Sequence, residues 1–388
     1  MVRVKHVISG LIASVVLGTS AQVLAAEIKV GMSAALTGPA SALGIAVKDG
    51  IETYFDEVNA QGGVKGNKIT FVPLDDGYEP AKAAPNMETL IKKDNVLAVL
   101  GNVGTPTAIV TVPIANKDKT LLFGAYTGAG VLRQTPPDRY VINYRASYAE
   151  ETAAMVKNLL ANGIKPEEIA FFTQNDGYGD AGYNGAVKAL KAEGFNDVDK
   201  LAHGRYTRNT TNVEQALGTI LDAEVEPKAI IMVGAYAPCA EFIRQAKQDF
   251  DDMIFLNVSF VGSIPLMKAL GDDAEGVIVT QVVPHFDSDL PGVAEYRKAL
   301  AKYKPNSSPD FVSLEGYLLA KIFVAGLNDA PSMTREGVID GLEKLKNLDI
   351  GINVPISFSA SQHQASHKVW PTIIRGGKYE PLDWATLR

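Results

Sequence analysis

Hydroxyl, amide and aromatic side chains collect at short turns that each follow an apolar run of the sequence. These turns are 37–38, 101–105, 125–127, 175–178, 234–236 and 257–260. Hydroxyls and main-chain N–H groups at helix starts suit a carboxylate, and a tyrosine provides an apolar wall with a polar tip. Four turns carry an aromatic residue: Tyr126, Tyr178, Tyr236 and Phe260. Because they come from both halves of the chain, they indicate the walls of one shared cleft and favour ligand binding over catalysis.

One of these turns matches a dinucleotide-binding pattern. Residues 177–182 read Gly-Tyr-Gly-Asp-Ala-Gly, and Asp197 and Asp199 follow at about the 20-residue distance that such a site requires. An exported NAD-dependent enzyme is therefore one alternative. The Tyr178 ring and the Asp180 carboxylate would crowd an approaching pyrophosphate, however, so we expect an ordinary glycine-rich turn.

The remaining chemical patterns predict neither a metal site nor a catalytic centre. The sequence contains no G-x-S-x-G, H-E-x-x-H or G-x-x-x-x-G-K-[ST] motif. His363 and His367 have helical i, i+4 spacing, but the Ser/Gln-rich run 357–366 is typical of a loop. The pair Asp75-Asp76 at a strand end is more typical of a helix N-cap than of an acid/base pair. We therefore expect no enzyme activity, no cofactor and no metal.

The N-terminus has the layout of a secretory signal peptide. Arg3 and Lys5 precede the apolar run 7–17, and the small residues at 23–26 offer a cleavage site before Glu27. The apolar run is short for a membrane span, and no cysteine near the cleavage site could carry a lipid. The formal net charge is −7, and losing the two positive charges of the leader gives −9, which disfavours a nucleic-acid partner. These features predict an exported, soluble and acidic protein without a lipid anchor.

Strands and helices must alternate along the chain to position the polar turns. The predicted strands of the first part are 28–36, 68–74, 96–101 and 120–124. The helices between and before them are predicted at 40–60, 81–93 and 105–116. This alternation indicates βαβ units and a parallel sheet with helices on both faces, where ligands bind at the carboxyl ends of the strands.

The alternation restarts after residue 145. Further strands are predicted at 169–173, 198–202, 229–233 and 254–257, with helices at 150–162, 181–193, 213–221 and 239–248. Late helices (292–304, 311–327 and 335–345) and late strands (352–358 and 368–374) have no sheet of their own. The length of 388 residues exceeds what a single core usually supports. The simplest arrangement is two doubly wound lobes, with the chain returning to the first and then to the second.

Several stretches resemble the type I periplasmic solute-binding proteins of the leucine/isoleucine/valine-binding group. They are residues 28–44, the run VNAQGGVKG at 58–66, DGYG at 176–179, EGV at 275–277 and EGY at 315–317. The resemblance covers essentially the whole chain after the leader. It implies two α/β lobes joined by three crossings, which close on a small solute and present it to a membrane permease driven by a cytoplasmic ATPase.

The resemblance also implies where the lobes begin and end. The crossings should lie near 145–147, 279–283 and 354–359. The signal peptide would then be 1–26, the N-terminal lobe 27–145 plus 282–355, and the C-terminal lobe 146–281 plus 356–388.

The resemblance further implies a set of ligand-binding residues. Thr105 and Thr127 would hold the ligand carboxylate, and Leu43 would line the side-chain pocket. Tyr178 and Tyr236 would close over the ligand from the second lobe.

The chain departs from the family pattern at two positions. Amino-acid binders of this group place a glutamate in the second lobe to pair with the ligand ammonium, and here Ser259 or Phe260 stands in its place. Since a buried ammonium without a counter-charge is unfavourable, the ligand should lack an α-ammonium unless Asp176 or Glu241 substitutes. The family's disulfide near the first-lobe ligand loop is also missing, because Gly104 stands where a cysteine would be.

The function predicted from these residues is that of the periplasmic substrate-binding component of an ABC importer of the branched-chain amino acid type. By the same resemblance it would be a periplasmic monomer. Its partners would be inner-membrane permease subunits and a small solute, either an amino acid or an aromatic or aliphatic carboxylate. The ligand would touch both lobes only in the closed form, so that binding favours hinge closure. A periplasmic sensory module that signals to a membrane receptor is the second alternative.

Overall fold

The first part of the chain forms a parallel five-stranded sheet, as the alternating apolar runs predict. The computed structural model describes residues 27–250 and 252–387. The strands of the first sheet are β1 (Ile28–Ala34), β2 (Ile69–Asp75), β3 (Ala98–Leu100), β4 (Leu121–Phe123) and β5 (Val141–Ile142). They pair in the order β2-β1-β3-β4-β5, and every pair is parallel. Buried apolar side chains fill β3 and β4, as expected for strands covered by helices on both faces.

A second sheet of seven strands follows. Its strands are β6 (Ile169–Gln174), β7 (His203–Tyr206), β8 (Ala229–Val233), β9 (Ile254–Asn257), β10 (Ile278–Gln281), β11 (Trp370–Arg375) and β12 (Lys378–Pro381). They pair in the order β12-β11-β10-β9-β8-β6-β7, in which only the pairs made by β11 are antiparallel among the described strands. The predicted architecture of two doubly wound lobes is confirmed.

Most helices lie close to their predicted positions, but the helix at Ser263–Leu270 was not predicted from the sequence. The helices are α1 (Ser41–Ala60), α2 (Pro80–Lys92), α3 (Thr105–Lys117), α4 (Tyr148–Ala161), α5 (Gly177–Ala192), α6 (Glu214–Leu221), α7 (Tyr236–Ala246), α8 (Ser263–Leu270), α9 (Pro291–Tyr303), α10 (Phe311–Asp329) and α11 (Arg335–Lys344). Helix α4 begins with a capping box, in which Ser147 and Glu150 satisfy each other's main-chain N–H groups. The Asp310 carboxylate caps α10 by accepting a hydrogen bond from the Ser313 N–H at 2.6 Å.

Helix α10 packs closely on α1 in the first lobe. A Cβ atom at Gly50 would lie 2.0 Å from the Ser313 carbonyl oxygen, and one at Gly316 would lie 2.4 Å from the Val47 carbonyl oxygen. Glycine at both positions therefore lets the two helix backbones approach each other. Among the described residues, α10 is the one helix long and apolar enough to cross a membrane, but 83% of its most apolar window is buried inside the protein. It is the core helix of this lobe.

The chain passes between the two sheets at three neighbouring places. The first connection leads from β5 through Arg145 into α4, and the second leads from β10 to α9, which packs on α1. These two connections touch, because the Tyr144 hydroxyl donates a hydrogen bond to the Val282 carbonyl oxygen at 3.3 Å. The third runs beside the first, where the Ser366 N–H donates to the Tyr144 carbonyl oxygen at 2.8 Å.

The third connection lies further along the chain than the sequence predicts. The predicted crossing at 354–359 is wrong, because the Phe358 ring still lies against the Phe123 ring of the first sheet, with the ring centroids 6.3 Å apart. The chain leaves this lobe only near Gln364, which pairs with Asn143 of the first connection. The stretch from residue 356 to Gln364 therefore packs with the first lobe, whereas the sequence assigns it to the second.

Two predicted strands are also wrong. The strand predicted at 198–202 is a single helical turn over Val198–Lys200, and the real strand, β7, begins at His203. The strand predicted at 352–358 makes only an isolated bridge between Leu348 and Ile356. There, Asn353 has a left-handed backbone with φ of 57°, and Pro355 has no N–H to donate to a neighbouring strand.

Candidate functional site

The two threonines predicted to hold a carboxylate lie side by side at the carboxyl ends of β3 and β4. Their hydroxyl oxygens are 2.7 Å apart, and both side chains are buried. Thr105 begins α3, and Thr127 Oγ1 accepts a hydrogen bond from the Ala129 N–H at 3.3 Å. The Tyr148 hydroxyl lies near Thr127, and burial raises its pKa to about 12. The Tyr148 hydroxyl has no hydrogen-bond partner among the described residues, so it remains available to donate to an anion beside the two threonines.

An aromatic cluster joins the two lobes beside these hydroxyls. Phe260 of the second lobe is fully buried, and its ring centroid lies 5.5 Å from that of Tyr126 and 4.6 Å from that of Tyr178. The Tyr126 hydroxyl donates a hydrogen bond across the cleft to the Ser259 carbonyl oxygen at 3.2 Å. The Tyr178 hydroxyl donates to the Gly234 carbonyl oxygen at 3.2 Å. Three of the four predicted wall aromatics therefore meet in one place.

Tyr78 completes this cluster and was not among the predicted site residues. Its ring is fully buried and lies 5.8 Å from that of Phe260, and its hydroxyl accepts a hydrogen bond from Gln174 Nε2 of the second lobe at 3.2 Å. Gly104 makes room for the ring, because a Cβ atom at that position would lie 2.1 Å from Tyr78 Cε2. Gly104, at the position where the resemblance implies a cysteine, thus lets an aromatic side chain reach the second lobe. In the sequence, the turn Asp-Gly-Tyr directly after β2 could have indicated Tyr78 as a site residue.

Leu43 and Tyr236 lie at a second contact between the lobes. Leu43 is buried on α1, and a Cβ atom at Gly262 of the second lobe would lie 2.6 Å from its Cδ2 atom. Tyr236 begins α7 and is half-buried, and burial raises its pKa, an effect that the neighbouring Ser41 and Ala42 of the first lobe partly oppose. These two residues thus join the first helix of one lobe to the second lobe.

Ser259 is held by a carboxylate that sequence reasoning missed. Glu151 Oε2 accepts a hydrogen bond from the Ser259 N–H at 2.8 Å, and Glu151 Oε1 accepts one from the Ser259 hydroxyl at 2.9 Å. The Thr280 hydroxyl donates a third bond to Glu151 at 2.6 Å. Glu151 is fully buried, so burial raises its pKa, although the nearby Arg145 opposes that rise.

Arg145 connects this carboxylate to the first lobe. Its guanidinium nitrogens lie 3.8 Å from Glu151 Oε1 and 3.5 Å from Glu315 Oε1, and it contacts the Ser259 hydroxyl. Burial raises the pKa of Glu315 to about 7, an effect that Arg145 opposes and Glu151 reinforces. The sequence offered a signal for both residues, since Arg145 lies in the first predicted crossing and Glu315 in the EGY stretch.

A polar contact closes the outer rim of the cleft. Arg208 of the second lobe lies 2.8 Å from Glu79 Oε2 of the first lobe and 3.0 Å from Asp176 of its own lobe. The Asn209 side chain also donates to Glu79 Oε1 at 2.7 Å. The lobes are therefore in contact from the aromatic cluster to the rim, which is the geometry of a closed cleft.

Comparison with known proteins identifies the family. A sequence model described as periplasmic binding protein matches residues 27–378. The chain belongs to the periplasmic binding proteins.

Its relatives lie in the leucine/isoleucine/valine-binding group, as the resemblance predicts. Leu/Ile/Val-binding protein homolog 7 of Brucella melitensis is 26% identical over 366 residues, which cover 90% of this chain and 88% of that protein. The Leu/Ile/Val-binding protein of Escherichia coli K12 is 25% identical over 85% of this chain and 86% of its own. The crystal structure of a possible leucine/isoleucine/valine-binding protein from Rhodopirellula baltica SH 1 is 50% identical, has a TM-score of 0.91, and covers 94% of this chain and 98% of its own.

In this periplasmic binding protein, the two carboxylates suggested as substitutes for the family glutamate are engaged elsewhere. Asp176 caps α5 by accepting a hydrogen bond from the Tyr178 N–H at 3.0 Å, and it pairs with Arg208. Glu241 lies on α7 and pairs with Arg244 and Gln245. The carboxylate that contacts Ser259 is Glu151.

The glycine-rich turn at 177–182 does not present a free helix N-terminus. The Asp176 carboxylate occupies the position at the start of α5 that a pyrophosphate would need, and Tyr178 is buried in the aromatic cluster. The backbone thus folds as a strand-to-helix turn. Tyr178 of this turn takes part in the contact between the lobes.

The remaining chemical candidates have structural partners. Asp75 accepts hydrogen bonds from the N–H groups of Leu36, Thr37 and Gly77, so it holds a turn and does not cap α2 as predicted. His363 lies 3.1 Å from Glu343, whereas His367 lies 2.5 Å from Glu150.

The described residues show no arrangement typical of a metal site or of a reactive thiol. Within the described ranges, no group of three or more His, Cys, Asp or Glu side chains is arranged to hold a metal ion. Cys239 is buried, and burial raises its pKa above the usual range of a thiol. The predicted cleavage site and residues 1–26 lie outside the described residues.

Proposed function

We propose that this protein is the periplasmic substrate-binding component of an ABC importer that takes up an amino acid or a related small carboxylate. The observation that supports it best is the pair of Thr105 and Thr127 hydroxyls, which lies beside Tyr148, a residue that packs on Tyr178 in the aromatic cluster. Hydroxyl donors at a helix start suit a carboxylate, and the aromatic rings suit an apolar body. The names of the relatives in Brucella melitensis and Escherichia coli, which are Leu/Ile/Val-binding proteins, agree with this ligand class.

The proposed mechanism is closure of the two lobes about the three neighbouring connections. The ligand would contact the threonines of the first lobe and Tyr178 and Phe260 of the second at the same time. Because both sets of contacts exist only in the closed form, ligand binding would shift the population of conformations toward closure. The closed protein would then present its outer surface to permease subunits in the inner membrane. The signal peptide predicted at residues 1–26 would direct export to the periplasm.

A thermal-shift screen tests the ligand class. The full chain is expressed, exported and purified, and then unfolded and refolded to remove any bound ligand. The panel contains leucine, isoleucine, valine, polar amino acids, benzoate-type and short aliphatic carboxylates, and NAD. A ligand at 100 times its Kd stabilises the folded state by about 2.7 kcal/mol, which raises the Tm by a few degrees.

A variant pair locates the site within the same screen. Thr105→Val removes a buried hydroxyl of the proposed carboxylate site, whereas Thr219→Val makes the same change at an exposed position on α6. We expect the ligand-induced shift to disappear in Thr105→Val and to persist in Thr219→Val. A shift with NAD alone, or no shift with any small carboxylate, would contradict the proposed function.

A further inference from the structure

A buried arginine lies at the junction of the two lobes and borders the proposed ligand site. Arg145 belongs to the first connection, and only 1% of its surface is exposed. Its guanidinium carbon lies 4.7 Å from the centroid of the Tyr126 ring and 6.0 Å from that of the Tyr148 ring. Its Nη2 atom contacts the Ser259 hydroxyl. The cation thus adjoins an aromatic wall of the cleft and the serine in the second lobe.

Two of the nitrogen atoms of this guanidinium lack a hydrogen-bond acceptor. Within residues 27–250 and 252–387, neither Nε nor Nη1 of Arg145 has a hydrogen-bond partner. Nη1 lies 3.5 Å from Glu315 Oε1, so the two groups form an ion pair, but the geometry is not that of a hydrogen bond. Buried donors, and charged donors above all, are normally satisfied, because leaving them unpaired destabilises the folded state. An oxygen atom of a ligand would supply the acceptor that these donors require.

The carboxylates around Arg145 offer little to a second cation. Glu151 already accepts three hydrogen bonds from Ser259 and Thr280 and pairs with Arg145 at 3.8 Å. Glu315 also faces Arg145, and its pKa of about 7, raised by burial, leaves it partly protonated near neutral pH. An ammonium group in this space would lie beside a guanidinium while both carboxylates are engaged.

From this geometry we propose that the cleft selects a small carboxylate whose second polar group is an oxygen acceptor for Arg145. A 2-oxo or 2-hydroxy acid has such a group, whereas the matched α-amino acid places an ammonium there. The inference rests on the proposed function, since it assigns the carboxylate to Thr105 and Thr127 and the apolar body to the aromatic cluster. Arg145 is then a specificity-determining residue that attracts oxygen and repels ammonium.

Isothermal titration calorimetry with matched ligands tests this selection. The exported and refolded protein is titrated at pH 7 with leucine, 4-methyl-2-oxopentanoate and 4-methylpentanoate, and with phenylalanine, phenylpyruvate and 3-phenylpropanoate. Within each set the carbon skeleton is constant, and only the group at C2 changes. A site built to hydrogen-bond an oxygen discriminates strongly against an analogue that cannot accept that bond. We expect the better-fitting oxo acid to bind at least about 100-fold more tightly than its amino acid.

Three variants separate the role of Arg145 from a loss of folding. Arg145→Lys keeps the charge but removes donors, and we expect it to weaken oxo-acid binding at least about tenfold. Arg335→Lys is the matched control, because Arg335 donates to main-chain oxygens of Ile91 and Val96 at the far end of the first lobe. Glu315→Gln retains Arg145 and should bind the oxo acid as tightly as the wild type or more so. The Tm of each variant shows that it is folded.

The outcomes distinguish the inference from the proposed function. If an amino acid binds as tightly as its oxo acid, or if Glu315→Gln abolishes binding, the inference is overturned while the proposed function stands. If the oxo acid and the unsubstituted acid bind equally and Arg145→Lys changes neither, the role of Arg145 is overturned. If the folded protein binds no carboxylate of the panel, both fail.

Discussion

Replacing Arg208 should loosen the closed cleft, because it removes an ion pair between the lobes in addition to one inside the second lobe. Its guanidinium reaches across the rim to Glu79 at 2.8 Å, and the two side chains are 23% and 40% exposed. Because this pair is partly in water, its contribution is discounted for solvent screening to about 1 kcal/mol at most. Arg208→Met should therefore lower the ratio of closed to open molecules by up to about fivefold.

Arg205→Met is the matched control for this prediction. Arg205 is also half-buried and pairs with a carboxylate, but its partner, Asp180, lies in the same lobe. The control therefore removes an arginine and an ion pair of the same kind without touching a contact between the lobes. We expect the control to leave the ratio of closed to open molecules unchanged.

Distances between spin labels measure this ratio directly. Lys117→Cys and Lys191→Cys place one label at the exposed end of α3 and one at the exposed end of α5, in different lobes. The native Cys239 is buried with a raised pKa, so it should remain unlabelled in the folded protein. Arg208→Met should enlarge the long-distance population of the ligand-free protein. Identical distance distributions in both arginine variants would refute the proposed role of the rim contact.

Three further predictions concern the interior. Phe260→Ala should lower the free energy of unfolding of the ligand-saturated protein by about 3–5 kcal/mol, because its ring packs on Tyr126 and Tyr178 in the closed form, and a loss below about 1 kcal/mol in urea unfolding would contradict this. Glu315, which faces Arg145, Glu151 and Arg133, has a folded-state pKa raised to about 7 by burial, so the free energy of unfolding should fall as pH rises from about 4.5 to 7. Glu315→Gln should flatten this fall in urea titrations at several pH values, and an unchanged profile would contradict it. Gly104→Ala should lower the free energy of unfolding by more than about 1 kcal/mol, because Gly104 has φ of 99° and adjoins the ring of Tyr78; calorimetry showing a wild-type Tm would contradict this.

The sequence predicts the fold well because local patterns determine most of it. The apolar runs that become β1, β6, β8 and β9 are continuous and bounded by turns, and the helices between them have a clear period. The wrong strand predictions lie where residues that favour strands are interrupted by residues whose backbone cannot pair in a sheet. The run at 352–358 contains β-branched residues, but Asn353 and Pro355 break its pairing.

The candidate site is predictable from chemical pattern where its residues follow strand ends, and Leu43 on α1 is named only through the family resemblance. Thr105 and Phe260 follow strand ends, and the structure brings them close to the cleft between the lobes. Arg145 and Glu151 are different, because their importance depends on burial and on a contact with Ser259 that joins distant parts of the chain. A charged residue in a sequence is ordinarily exposed, and only the folded arrangement reveals that these two are buried and paired.

Small-angle X-ray scattering of the refolded protein tests the central claim most directly. The radius of gyration is measured without ligand and again with a saturating concentration of the carboxylate that gives the largest thermal shift. The account predicts a smaller radius of gyration with the ligand, because binding favours the closed form in which both lobes contact it. The same radius in both samples, at concentrations where the thermal shift is complete, would contradict closure of the lobes on a solute.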